Sequence, residues 1–127
     1  MQNTEYISPV VVGQSPHHGR GLFAATSFRV DETIGVYPLL ILTEEETRTV
    51  QQTRLYHYVF YIDETADRGM RAAVAFGHIS MCNHSLDANA DFTVDAGAQT
   101  VTLKANTTIP AGSEILIDYE DFAEEII

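Results

Sequence analysis

The sequence has few of the residues that several classes of site require. Among its 127 residues there is one cysteine, Cys82. A single cysteine excludes an internal disulfide and a cysteine-rich zinc site, and it favours a reducing, intracellular compartment. Basic residues are also scarce, with seven Lys and Arg against 18 Asp and Glu and a formal net charge of −11. Because a nucleic-acid backbone is densely negative, we expect no direct nucleic-acid binding.

Long hydrophobic runs are missing as well. The longest, 36–42, is interrupted by Pro38 and is far shorter than the roughly 18 residues of a membrane-spanning helix. The N-terminal residues contain no basic region followed by an apolar stretch, so neither a secretion signal nor membrane association is expected. The remaining composition, 45% hydrophobic and 20% charged, is typical of a globular protein, and the length predicts a single domain over 1–127.

The acidic balance itself has two interpretations. It can serve solubility alone, which is the simpler interpretation of net charge. It can also concentrate basic partners, such as Lys- and Arg-rich protein segments, near the surface.

The pattern along the chain predicts a mostly β fold with one short helix. Thr43 begins the predicted helix in a capping box with Glu46, and the helix is expected to run to about Arg54 or Leu55. Gly35 and Pro38 predict that their strand is bent or lies at a sheet edge. Strands are predicted at 7–13, 33–42, 56–62, 72–76, 90–95, 99–104 and 113–119, with loops at 14–21 and 63–69.

Three segments contain candidate functional residues. Gly19-Arg-Gly21 allows backbone groups to approach a ligand closely, although a plain tight turn is the favoured interpretation of this segment alone. The strand that ends at Tyr119 directs a hydroxyl toward a site or toward the core. In the third segment His78, Cys82 and His84 suggest a metal, but no further ligand completes a zinc site.

Cys82 and His84 also suggest a nucleophile and its base. A separation of two positions in an extended segment does not readily supply the mutual geometry and the orienting third group, so this pair is disfavoured. Polar side chains that are hydrogen-bonded to the backbone explain the same segment.

The order of the motifs is more informative than any one of them. Gly-Arg-Gly-Leu-Phe-Ala (19–24), Asn-His-Ser (83–85) followed by Asn89, and Ile-Pro-Ala-Gly-Ser-Glu-Ile-Leu-Ile-Asp-Tyr (109–119) occur in sequence. In this order they resemble the SET-domain protein lysine methyltransferases, over about 15–122. The chain is most similar to the minimal, stand-alone SET proteins of viruses and bacteria.

The resemblance implies a fold and an activity. The fold is a β-clip of small curled sheets, in which the Asn-His-Ser segment and the C-terminal segment are threaded together in a knot-like arrangement. The activity is protein lysine N-methylation with S-adenosylmethionine, on a basic protein segment, in the cytoplasm or in a host nucleus or nucleoid. The alternatives are a catalytically inactive module that binds a peptide or the cofactor, and a hydrolase that uses Cys82.

The resemblance also implies a cofactor site. Gly19, Arg20 and Gly21 would line the S-adenosylmethionine pocket with backbone groups. Asn83 would hold the methionine end of the cofactor, and His84 would present its backbone to the adenine.

The remaining implied roles concern the lysine channel and the lid of the cofactor site. Tyr119 would be the catalytic tyrosine, and Tyr58 would line the lysine channel. Larger enzymes of the family close the cofactor site with a zinc-binding cysteine cluster, which this sequence lacks. Phe122 and the tail Ile126-Ile127 are the candidates for that lid, to which a second subunit of a homodimer is a further candidate contributor.

Overall fold

The computed structural model describes residues 8–16, 19–64 and 69–119. Most of the regular structure is strand, with one α-helix and two short 3₁₀-helices among these residues. The elements are β1 (Val10–Gln14), β2 (Arg20–Ala24), β3 (Thr33–Ile41), α1 (Glu44–Val50), η1 (Arg54–Tyr58), β4 (Val59–Glu64), β5 (Met70–Ala75), η2 (His78–Met81), β6 (Asn83–His84), β7 (Ala90–Asp95), β8 (Thr100–Ala105) and β9 (Glu114–Ile117), where η denotes a 3₁₀-helix.

The strands form two small sheets. One has the order β1-β2-β9-β6 and the other the order β4-β5-β3-β8-β7. In the first sheet β9 is antiparallel to β2 and parallel to β6. The expected mostly β fold is confirmed, and β9 lies between β2 and β6 as the implied C-terminal threading requires.

The strand β3 changes its pairing partner along its length. Residues 33–38 pair with β8, whereas residues 39–41 pair with β5. Proline lacks the N–H that a ladder needs, and Pro38 lies where one partner is exchanged for the other. A register shift between Thr33 and Gly35 adds a second irregularity. Because β3 lies in the middle of its sheet, the strand is bent and the alternative of an edge position is wrong.

The helix α1 begins as predicted but ends early. Thr43 accepts from the N–H of Glu46, and the Glu46 carboxylate accepts from the N–H of Thr43, so the capping box is confirmed. The helix ends at Val50 instead of Arg54 or Leu55. A new N-cap explains this, because the hydroxyl of Thr53 accepts from the N–H of Leu55 and starts η1.

The predicted strand at 56–62 is wrong in its first half. Tyr56 and Tyr58 belong to η1, where their side chains are 47% and 43% exposed. Strand β4 starts only at Val59. Aromatic residues favour strands when they pack against a pleated, half-buried surface, and the two exposed tyrosines do not have such a surface beneath them.

The other boundaries differ from the prediction by a few residues. Strand β2 already begins at Arg20, inside the predicted loop 14–21, and β4 continues to Glu64, inside the predicted loop 63–69. There Asp63 pairs with Arg71 of β5 across the two strands. The predicted hairpin of 90–95 with 99–104 is confirmed, with β8 shifted by one residue.

The two sheets share one hydrophobic core, which the strands and the intervening loops both supply. Its largest fully buried apolar side chains are Phe60, Leu22, Ile79, Leu103, Ile109, Ile115, Ile117 and Val101. Ile115 and Ile117 of β9 are fully buried in this core, so the position of β9 is fixed by packing as well as by the ladder. Within the described ranges, every helix is too short or too polar to cross a bilayer.

Candidate functional site

A cavity of about 800 Å³ opens between η1, β6 and the residues that flank β2 and β9. Its volume lies within the range of roughly 300–1,000 Å³ found for small-molecule sites. The residues that line it are Gly19, Arg20, Arg54, Tyr56, His57, Tyr58, Val59, Tyr61, Ser80, Met81, Cys82, Asn83, His84 and Tyr119.

Most of the residues singled out in the sequence meet at this cavity. Four segments that are far apart in the chain contribute to it: Gly19 and Arg20, Tyr58, Asn83 and His84, and Tyr119. Gly21 is not part of the lining. Phe122 and the tail residues 126–127 lie outside the described residues.

Gly21 lies behind the cavity, where three segments pack tightly. A Cβ atom at this position would be 2.2 Å from Oε2 of Glu114 and 3.0 Å from Nδ2 of Asn83. A side chain at position 21 would force the Glu114 carboxylate to move, so glycine leaves the space in which that carboxylate lies between β9, β6 and β2. The second glycine of the motif therefore acts through packing.

Glu114 of β9 connects two other segments with its two carboxylate oxygens. Oε1 accepts from the hydroxyl of Ser15 at 2.8 Å, and Oε2 accepts from Nδ2 of Asn83 at 2.8 Å. Nδ2 of Asn83 also donates to the carbonyl of Arg20 at 3.0 Å. Hydrogen bonds to a carboxylate are stronger than those between neutral groups, so Glu114 holds the Asn83 side chain at the edge of the cavity.

Asn89 extends the same network along β9. Its Nδ2 donates to the carbonyl of Glu114 at 2.9 Å, and its Oδ1 accepts from the N–H of Leu116 at 2.8 Å. The side chain thus imitates a ladder partner for β9 beyond the short strand β6. This fixes β9 in register with the segment that supplies the cavity wall.

The imidazole of His84 is oriented by the backbone that follows β9. Its Nδ1 accepts from the N–H of Tyr119 at 3.1 Å. The carboxylate of Asp118 lies 3.6 Å from the same nitrogen, which is beyond hydrogen-bond length. The accepted bond requires an unprotonated Nδ1, so this geometry corresponds to the neutral imidazole with its proton on Nε2.

The phenol of Tyr119 is held between the core and the cavity. Its hydroxyl donates to the carbonyl of Cys82 at 2.9 Å. Its ring lies 5.4 Å from that of Phe60 and 6.4 Å from that of His84, between centroids. Burial raises the pKa of Tyr119 well above its usual value, with smaller contributions from Cys82 and Tyr58. The phenol therefore stays protonated and serves as a hydrogen-bond donor.

The thiol of Cys82 is unsuited to nucleophilic chemistry. It is buried, and burial, with a smaller contribution from Glu114, raises its pKa to about 12. The thiolate is the reactive form of cysteine, and it is scarce at neutral pH here. The functional atom of Cys82 is its carbonyl oxygen. Across 8–16, 19–64 and 69–119, no group of three or more His, Cys, Asp and Glu side chains is arranged to hold a metal ion.

Sequence reasoning missed several residues that build this site. The sequence predicts Glu114 only as a member of the strand 113–119, and the signal for its role was Gly21, which leaves space for its carboxylate. Arg54, Tyr56 and His57 were missed because the segment after α1 was interpreted as the end of a helix and the start of a strand. The aromatic density of that segment was the available signal.

The family comparison covers most of the chain. The sequence profile of the SET domain family matches residues 19–120. No curated protein sequence matches the chain.

Solved structures with a similar fold come from several organisms. A candidate histone methyltransferase of Plasmodium falciparum matches with a TM-score of 0.67 and 22% identity, over 90% of this chain and 95% of that chain. The Neurospora SET domain protein DIM-5, a histone lysine methyltransferase, matches with a TM-score of 0.69 and 21% identity, over 88% of this chain. A humanized mutant of the Chaetomium thermophilum Polycomb Repressive Complex 2 matches with a TM-score of 0.68 and 23% identity, over 88% of this chain.

The shares of these proteins that are covered differ widely. The match spans 52% of the Neurospora chain and 15% of the Chaetomium chain. At these identities the likeness is one of fold.

Proposed function

The chain belongs to the SET domain family, and we propose from this that it is a protein lysine N-methyltransferase that uses S-adenosylmethionine. The observation that carries the proposal is the convergence of remote motif residues on one cavity, where Asn83, His84, Tyr58 and Tyr119 all line the wall. Histone methyltransferases among the structural neighbours support the same reaction class.

The residues around the cavity fit this cofactor. Gly19 has a φ of 54° and nothing near its Cβ position, so the backbone leaves open space beside the cavity. Both amide hydrogens of Asn83 are used within the chain, and its carbonyl oxygen is left to accept from the ammonium group at the methionine end. Neutral His84 offers its backbone beside the same wall. When bound, S-adenosylmethionine supplies an electrophilic methyl group on a sulfonium.

The substrate amine must be neutral to react. A lysine of ordinary pKa about 10.4 is almost fully protonated at pH 7, and deprotonating it requires about 4–5 kcal/mol. Tyr119 is not the base, because its raised pKa and its donated hydrogen bond keep the phenol neutral. The role that fits Tyr119 is to orient the amine, together with Tyr58 and the carbonyl of Cys82. Alignment of this kind supplies a large part of the acceleration in a displacement between bound partners.

The substrate that we propose is a basic protein segment. With 18 acidic and seven basic residues, the surface field favours the approach of Lys- and Arg-rich chains.

The direct test measures cofactor binding and turnover separately. Calorimetry on the purified chain gives the affinity for S-adenosylmethionine, and transfer of a labelled methyl group to a panel of basic, lysine-containing peptides gives the activity. We expect both binding and transfer, with the label on lysine by mass spectrometry. Cofactor binding without transfer to any peptide would instead identify a silent binding module, and no cofactor binding would contradict the proposal.

A further inference from the structure

The wall of the cavity differs in charge from the rest of the molecule. The chain has 18 Asp and Glu, yet no carboxylate occurs among the described residues that line the cavity, whereas Arg20, Arg54, His57 and His84 do. The permanently charged side chains of this wall are therefore two arginines, Arg20 and Arg54, in a molecule whose net charge is −11.

Arg54 is one of the two arginines of this wall. Arg48 and Arg71 are paired, with Glu44 and Asp63 respectively. In the described part of the chain Arg54 forms no ion pair, and its side chain is exposed. A guanidinium presents its donors in a planar fork that matches a carboxylate, so this side chain is available to bind an external anion.

The location of Arg54 connects it with the peptide more than with the cofactor. It begins the five-residue helix η1, which also carries Tyr58. Arg20, in contrast, is joined through its carbonyl to Asn83, on the proposed cofactor side. The anion that reaches Arg54 is thus one that arrives beside the lysine channel.

We propose that Arg54 binds a carboxylate side chain of the substrate close to the target lysine, so that the enzyme prefers a lysine with an acidic neighbour inside a generally basic segment. This inference rests on the proposed function. The two charge effects are compatible because the long-range field acts on the whole approaching segment, whereas a guanidinium–carboxylate bond acts at contact distance.

The test uses a basic peptide with one lysine, into which glutamate is placed in turn at each of the three positions before and after the lysine. The matched peptide has glutamine at the same position. Fluorescence anisotropy measures peptide affinity, and labelled methyl transfer measures KM and kcat. At one or two positions we expect glutamate to improve the affinity and lower KM by about 3- to 5-fold at low salt, which is the scale of a solvent-accessible ion pair.

The variant Arg54→Gln should abolish this preference, and the matched control Arg29→Gln should retain it, since Arg29 is exposed and does not line the cavity. A glutamate preference that survives in Arg54→Gln, or that is absent at every position in the unmodified chain, would overturn the inference. Reduced affinity of Arg54→Gln for S-adenosylmethionine, but not for its decarboxylated analogue, would also overturn it by assigning the arginine to the cofactor.

Failure of the proposed function has a different signature. If the unmodified chain methylates none of the peptides, lysine methylation is contradicted, while the anisotropy measurements still decide whether Arg54 binds the acidic neighbour.

Discussion

At the scale of single residues, the side-chain donors of Asn83 and Tyr119 at the cavity wall are already hydrogen-bonded within the chain. Tyr119 donates its only hydroxyl hydrogen to the carbonyl of Cys82. Asn83 uses both amide hydrogens on Arg20 and Glu114. Since each of these atoms already has a defined partner, single-atom changes should separate the catalytic contributions from the structural ones.

Tyr119→Phe should remove most of the turnover while the fold and cofactor binding remain. The ring still packs against Phe60, and only the hydroxyl is lost. Removing one preorganised hydrogen-bonding group at a reacting centre reduces the rate by about 10²- to 10³-fold. Labelled methyl transfer checks the rate, while calorimetry with S-adenosylmethionine and a thermal melt check binding and folding. Unchanged turnover in the folded variant would remove Tyr119 from the reaction.

Gly21→Ala should destabilise the chain because of the space that Glu114 occupies. The added Cβ would be 2.2 Å from Oε2 of Glu114, and overpacking of this kind typically reduces the free energy of unfolding by about 1–3 kcal/mol. Urea denaturation measures the loss. Gly97→Ala is the matched control, because the nearest atom to its Cβ position, on Asp95, is at an ordinary 3.5 Å.

A second change tests whether Glu114 is the cause. When Glu114→Ala is already present, Gly21→Ala should reduce the free energy of unfolding much less. A double-mutant cycle detects this difference as coupling between the two sites. Additive effects would show that the strain lies elsewhere.

At the scale of elements, α1 is attached to the sheet by one buried hydroxyl. Thr47 is 1% exposed. Its Oγ1 donates to the carbonyl of Thr43 at 2.8 Å and accepts from the N–H of Ala72, in β5, at 3.0 Å. Because η1 and its tyrosines follow α1 directly, this contact sets the position of one wall of the cavity.

Thr47→Val should lower the free energy of unfolding by about 1–3 kcal/mol, since it leaves the buried N–H of Ala72 without its acceptor. The matched control is Thr49→Val on the same helix, because that hydroxyl is exposed and donates only to the carbonyl of Glu45. Urea denaturation compares the two variants, which have the same change in helix propensity. Equal losses would mean that the contact with Ala72 contributes nothing.

At this scale, a feature is predictable from the sequence when the residues that form it lie close together in the chain. The capping box of Thr43 and Glu46 was predictable because both residues lie within one turn. The start of η1 was not, since the strand propensity of Tyr56 and Tyr58 is decided by whether a sheet lies beneath them. The role of Glu114 was also hidden, because its partner Ser15 is 99 residues away in sequence. The motif residues of the cavity were found only through their order.

At the scale of the whole molecule, net charge should govern the capture of the substrate. Exposed charges act over a Debye length of about 10 Å at 0.1 M salt. We expect the affinity for a Lys- and Arg-rich peptide to fall as salt rises to several hundred millimolar, while the affinity for S-adenosylmethionine changes far less.

The control for this prediction is a neutral peptide with one lysine. It should bind more weakly than the basic peptide at low salt and about equally at high salt, by anisotropy. If the two peptides bind alike at every salt concentration, the net charge of −11 serves solubility alone.

The insertion of β9 between β2 and β6 also has a consequence for how the chain folds. As a chain is synthesised, β2 and β6 emerge long before the strand that joins them, and contacts of such large sequence separation form slowly. Until β9 arrives, both strands have an unpaired edge, which is the kind of surface that makes folding intermediates prone to aggregation. Asn83 is bonded both to the carbonyl of Arg20 and to the carboxylate of Glu114 in β9, so the wall is complete only when β9 is in place. The capacity to bind a ligand should therefore appear in the last kinetic phase of folding, as a single event.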